Sequence, residues 1–164
     1  MKEKLAIFGG NKKFDEEVER YNGIGKEELL AATKVIESGV LSQFLGERDQ
    51  DFYGGSRIRE FENRWSEYFK VQYAVSVNSC TSGLMVALGA IGLEPGDEVI
   101  VSTWTMCASA TSILIWNAIP VFADIEDETF NLDPQSIEKN ITPNTKAIVV
   151  TNIFGHAAKL DEIM

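Results

Sequence analysis

From Tyr73 onward, short β-branched or apolar runs alternate with stretches of helical period, and this rhythm limits the fold more than any other feature. The strand-like runs are 73–77 (Tyr-Ala-Val-Ser-Val), 98–101 (Glu-Val-Ile-Val), 119–123 (Ile-Pro-Val-Phe-Ala) and 146–151 (Lys-Ala-Ile-Val-Val-Thr). Helical stretches fall between them, near 81–92, 106–116 and 134–140. Elements of these lengths in this order predict an α/β fold of three layers, a mostly parallel four-stranded sheet flanked by helices on both faces. In such sheets ligands gather at the carboxyl ends of the strands, so the turns after Val77, Val101 and Val150 would share one functional edge.

The first of those turns carries the clearest chemical signal. Asn78-Ser79-Cys80-Thr81-Ser82-Gly83 is a run of small residues, followed by Leu84, Ala87, Leu88 and Ile91 at the spacing of one apolar helix face. A strand, a small polar turn and a helix start aim free N–H groups and the positive end of a helix dipole at one point, which suits a phosphate. The same letters also suit a plain helix cap, since Ser, Thr and Asn are favoured there. Neither GxGxxG nor GxxxxGK[ST] occurs, so the turn is neither a dinucleotide fingerprint nor a P-loop. Ser102 to Met106, Asp124 and Asn152 to His156 follow the other strands. Together with the phosphate turn they would suit a flat phosphorylated cofactor.

Upstream the chain reads differently. Residues 1–24 form an extended polar arm with a turn at Gly9-Gly10-Asn11. A helix is predicted over Lys26–Glu37, with Leu29, Ala32, Thr33 and Ile36 on one face, stopped by Ser38-Gly39. Residues 40–55 lack either period and read as a long loop, a functional loop or a plain surface connection. A second helix over Arg57–Phe69 would turn Ile58, Phe61, Trp65 and Phe69 inward, with Trp65 in a core.

Bulk properties narrow the partners. Against 15 basic residues stand 25 acidic ones, and the net charge of −10 disfavours a nucleic-acid backbone or an anionic membrane. No secretory h-region and no apolar run of membrane-spanning length is visible, so a cytoplasmic location is expected. Cys80 and Cys107 are too few for a disulfide scaffold, and Cys107 falls on an apolar helix face as a core residue. A single histidine, His156, gives no metal-ligand pattern.

An ordered succession of short motifs resembles a known family. Gly92-Leu-Glu-Pro-Gly-Asp-Glu-Val-Ile100, Ile119-Pro-Val-Phe-Ala-Asp-Ile125, Asn131-Leu-Asp-Pro134, Ile141-Thr-Pro-Asn-Thr-Lys-Ala-Ile148 and Phe154-Gly-His-Ala-Ala-Lys-Leu-Asp161 look like the DegT/DnrJ/EryC1/StrS aminotransferases. Ser38-Gly39-Val-Leu41, Arg59-Glu-Phe-Glu62, Tyr68 and Tyr73-Ala-Val75 match that family's opening, so the resemblance runs from about Gly23 to the end. It implies part of the large domain of a fold-type I, aspartate-aminotransferase-like enzyme that uses pyridoxal 5'-phosphate (PLP). On this reading residues 1–60 are the arm, helix and substrate-side loop, and 61–164 the first part of the PLP-binding domain. The implied chemistry moves an amino group from an amino acid, glutamate in the usual case, to a nucleotide-linked keto sugar. The implied assembly is a homodimer.

The resemblance also assigns residues. Cys80 and Thr81 match the family's Gly-Thr pair and would hold the cofactor phosphate. Met106 matches the aromatic residue that stacks on the pyridine ring, and Trp104, two residues earlier, is a substitute stacker or a buried aromatic. Asn152 replaces a histidine common in relatives, as a contact beneath the site or a hydrogen-bonded core residue. Asp124 belongs to a structural motif more than to the pyridinium nitrogen, and His156 to a surface or interface. Two departures bear on binding: Cys80 stands for glycine, restricting the backbone, and Met106 offers a thioether where relatives offer a ring. The family's Schiff-base lysine and pyridinium acid lie downstream of the Leu-Asp-Glu-Ile run, and none of the ten lysines matches that lysine. No catalytic residue is therefore assigned, and the chain alone is expected to be inactive.

Three other readings remain at this stage. One is a fragment of a PLP-dependent sugar dehydratase. Another is a non-catalytic binding or assembly half that pairs with a complementing C-terminal half. The third, a nicotinamide-binding domain, lacks its glycine fingerprint. An open sheet edge and uncovered helix faces would drive the isolated chain to aggregate, oligomerise or pair.

Overall fold

The computed structural model describes residues 4–14, 16–17, 19–44, 46 and 52–164, so part of the 40–55 loop lies outside the described residues. The chain divides into two compact units, Met1–Ala74 and Val75–Met164.

The second unit holds a three-stranded parallel sheet in the order β2-β1-β3, with β1 Glu98–Ser102, β2 Ile119–Ala123 and β3 Thr145–Val149. Ile100 pairs with Val121 on one side and Ile148 on the other, which fixes the register around the central strand. Because β1 is covered on both faces it reads as a continuous apolar run. Val99 and Val101 pack with Leu88, Leu93, Ile113 and Ala118, while Ile100 packs with Ala123, Leu132 and Ile137 on the other face. Helices α3 (Cys80–Ala90) and α4 (Cys107–Leu114) form the first layer; α5 (Pro134–Asn140) and the single turn α6 (Leu160–Ile163) flank the second. The three layers are as the alternation predicts. Pro120 lies on β2, an edge strand, where a missing N–H is tolerated.

One expected strand is absent. Tyr73–Val77 forms no strand, with Tyr73 and Val75 exposed, so the sheet of the described residues has three strands rather than four. A β-branched run becomes a strand only where a neighbouring strand offers its hydrogen bonds, and this one does not join the sheet of the described residues.

The first unit contains α1 (Lys26–Ser38) and α2 (Ser56–Phe69). Gly39 caps α1 at φ 70°, a left-handed position that costs glycine no steric penalty. At the other end the Glu28 carboxylate accepts the Gly25 N–H at 2.7 Å, and that bond holds its carboxyl below the usual range. The aromatic face of α2 forms as spaced, with Phe61–Trp65 and Trp65–Phe69 ring centroids 5.6 and 4.7 Å apart. It does not turn inward: Phe61, Trp65 and Phe69 are about half exposed, and neither helix buries a residue. The period locates the face; it cannot supply what covers it.

Candidate functional site

Chain direction brings the functional turns together. α3 ends next to the Glu94–Asp97 turn that starts β1, and α4 ends next to the residues that start β2. Those two connections are tied by the Gly96 N–H to the Asn117 carbonyl at 3.1 Å. Both helices therefore run back against the strands and place their N-termini at the carboxyl edge. An 11-residue helix and a five-residue strand are each about 16 Å long, so the start of α3 lies level with the ends of the strands. Close helix contact supports this layout: the Trp116 indole N–H donates to the Met85 carbonyl at 3.0 Å, over Gly89.

Ser79 is the N-cap of α3. Its hydroxyl accepts the Ser82 N–H at 3.1 Å, and its carbonyl accepts the Gly83 N–H at 3.0 Å. The capping role that the letters allowed is thus real, and two further donors lie beside it. Of the first-turn donors, the N–H groups of Cys80 and Thr81 have no intrahelical acceptor. They sit at the positive end of the helix dipole, with the half-buried Thr81 side chain next to them. Cys80 opens the helix and is not among the residues of positive φ, so a side chain is accommodated there without a glycine-only backbone.

The second turn is braced from within. The buried Ser102 hydroxyl accepts the Trp104 N–H at 3.1 Å. Thr105 Oγ1 lies 2.9 Å from Ser109 Oγ and 3.0 Å from Thr151 Oγ1, joining the turn after β1 to the turn after β3. Residues 103–105 form a bend, so the strand rule that would put Trp104 and Met106 on one face does not apply. Both side chains are nevertheless exposed at the edge. Cys107, expected in the core, is exposed as the first residue of α4, because the buried face of that helix runs through Ser109, Ser112 and Ile113 and Cys107 lies off it.

Asn152 is exposed, and its Oδ1 accepts the Ala158 N–H at 2.9 Å, so it holds its own turn closed. Asp124 Oδ1 accepts the Ile125 N–H at 2.9 Å and stays local. His156 is exposed. Asn131 is the residue that sequence reasoning missed. Fully buried, it donates from Nδ2 to the carbonyls of His156 and Ala157 and accepts the Ile153 N–H on Oδ1, at 3.1 to 3.3 Å. It ties the hairpin after β2 to the turn that carries Asn152. Glu126 completes the hairpin by pairing with Lys159 and accepting from Thr129, contacts that hold its carboxyl below its usual range, and the same pairing holds the Lys159 amine above its own. Among the described residues no group of side chains is arranged to hold a metal ion, and no helix is long and apolar enough to cross a membrane.

A parallel sheet with a helix N-terminus at its carboxyl edge is a geometry at which many proteins hold phosphorylated ligands. The chain belongs to the DegT/DnrJ/EryC1/StrS aminotransferase family, whose model matches residues 24–164. It is 40% identical over 141 residues to the spore coat polysaccharide biosynthesis protein SpsC of Bacillus subtilis, covering 86% of this chain and 33% of SpsC. It is 41% identical over 110 residues to the GDP-perosamine synthase of Escherichia coli O157:H7, covering 67% of this chain and 30% of that enzyme. Among solved structures it resembles NtdA of Bacillus subtilis with bound cofactor PMP, at a TM-score of 0.73 and 31% identity, over 82% of this chain and 28% of NtdA. The chain thus spans about a third of the length of SpsC. The fold is that of the fold-type I, PLP-dependent aminotransferases.

Proposed function

We propose that this chain supplies the phosphate-binding part of the active site of a PLP-dependent aminotransferase that acts on a nucleotide-linked keto sugar. The observation that carries the reading is the start of α3, where Ser79 caps one donor and leaves the N–H groups of Cys80 and Thr81 open at the carboxyl edge. A phosphate dianion fits those donors, the Thr81 hydroxyl and the helix dipole without a lysine or arginine. Trp104 and Met106 would flank the pyridine ring, and Asn152 would shape the floor below it.

Bound there, PLP would supply the aldehyde carbon through which an amino group is exchanged between two substrates. The residues of this chain orient the cofactor through its phosphate and shield one face of its ring. The covalent lysine and the pyridinium acid would come from outside residues 1–164, so these residues alone would not transaminate. A sugar carried on a nucleotide is supported by the name of the GDP-perosamine synthase relative, and its keto form is the acceptor that the proposed amino transfer requires. An amino acid, glutamate first, is the proposed donor, and a cytoplasmic homodimer the proposed setting. A C-terminal complement is the alternative assembly.

Thr81→Val in the complete protein tests the reading. Losing one charge-assisted hydrogen bond of about 1.5–3 kcal/mol should weaken PLP binding by roughly ten- to a hundredfold. Unchanged PLP affinity, titrated by absorbance, would remove Thr81 from the site.

A further inference from the structure

Resting on that reading, we infer that Phe130 and Trp104 form an aromatic wall for a planar heteroaromatic ring of a phosphorylated ligand, which makes Phe130 a ligand-binding residue. Their ring centroids are 6.4 Å apart at 41°, and both side chains are about half exposed. Trp104 follows β1 and Phe130 lies in the hairpin after β2; the Thr103 N–H donates to the Ala123 carbonyl at 3.2 Å, so both belong to the carboxyl edge.

The backbone supplies the independent observation. Phe130 has φ 60°, a left-handed conformation that glycine and asparagine adopt readily and a bulky aromatic does not. Of the other non-glycine residues with positive φ, Lys70 directly follows α2, where that geometry is a usual stop, Asn117 is an asparagine, which adopts it readily, Gln43 lies in the loop before α2, and Phe154 shares the geometry in the turn after β3. Phe130 has no such reason. It closes a hairpin between the paired residues Ile125 and Leu132, with its N–H on the Glu126 carbonyl at 2.9 Å. The turn is held from all sides, by Thr129 and Lys159 on the Glu126 carboxylate and by the buried Asn131. Folding alone would be served as well or better by glycine at 130, because the ring there fills no core. Strain that the surroundings impose on an exposed aromatic at a ligand edge points to a ligand. The shared chemistry is a flat π-face, which the pyridine of PLP and the base of a nucleotide both present.

The test uses the complete protein, wild type and with Phe130→Gly, Phe130→Asn and Phe130→Tyr. PLP, uridine 5'-diphosphate and inorganic phosphate are titrated separately, with Trp104→Phe identifying the fluorescence of Trp104. The wall predicts that Phe130→Gly and Phe130→Asn keep or raise Tm yet bind one ring ligand about tenfold more weakly. Phe130→Tyr restores that binding, and inorganic phosphate binds all variants alike. Loss confined to PLP assigns the wall to the cofactor; loss confined to the diphosphate assigns it to the substrate base. Wild-type ring affinity in Phe130→Gly overturns the wall but leaves the phosphate site standing. A lowered Tm in both Phe130→Gly and Phe130→Asn makes Phe130 a packing residue and overturns it too. Failure of the wild type to bind PLP or phosphate removes the underlying reading instead.

Discussion

Replacing Asn131 with alanine should release the turn after β3 while leaving the sheet intact. The side chain makes three hydrogen bonds, two to the carbonyls of His156 and Ala157 and one from the Ile153 N–H. At about 1 kcal/mol net for each, the turn should lose about 3 kcal/mol, roughly a hundredfold in its local opening equilibrium. Amide hydrogen exchange of the complete protein reads this directly. Ile153 should exchange about a hundredfold faster, and Ala158, held by Asn152 in the same turn, should follow. Val99, Ile100 and Val101, fully buried in β1, should keep their protection. Asn131→Asp refines the test, since it keeps the acceptor but aims a carboxylate at two carbonyl oxygens. That variant should be loosened at neutral pH and recover as its carboxyl gains a proton. Uniformly faster exchange across sheet and turn alike would refute a local tie, and unchanged exchange at Ile153 would refute the tie itself.

Other consequences are as direct. Gly89→Ala would drive a Cβ into the Trp116 indole and should cost about 1–3 kcal/mol of stability in chemical denaturation, relieved by Trp116→Leu. The Glu126–Lys159 contact contributes above the ordinary glutamate range and is lost as pH falls through the depressed carboxyl value. It is lost again as pH rises through the raised lysine value. Protection of the Phe130 and Asn131 amides should therefore decline in acid, and Glu126→Gln should flatten that decline. Ser79→Ala should cost about 1 kcal/mol, the usual worth of a helix cap, read as a lowered denaturation midpoint.

What the sequence carries well is the part of the fold whose signals are local. Val99-Ile-Val101 is apolar at every position because β1 is buried on both faces, and the alternation with helices follows from strand and helix lengths alone. Tyr73–Val77 has the same letters but does not join the sheet of the described residues, and pairing is not written in a single segment. The aromatic face of α2 is legible as a face and not as a buried one. In the site, Ser79 to Thr81 can be read because helix starts have strong residue preferences. Asn131 and Phe130 cannot. An asparagine in a polar turn looks like any turn residue, and a left-handed φ at phenylalanine contradicts the preference by which such positions are found. Both depend on contacts made across the fold.

The proposed site places the cofactor phosphate on the open N–H groups of Cys80 and Thr81. Its most direct test is the amide NMR signals of these two residues in the complete protein as PLP is added. A hydrogen bond to a phosphate oxygen should shift both proton signals downfield and slow their exchange, with Ser82, already bonded to Ser79, moving less. Inorganic phosphate should move the same pair. If PLP binds while the signals of Cys80 and Thr81 stay where they were, the phosphate lies elsewhere and the account fails.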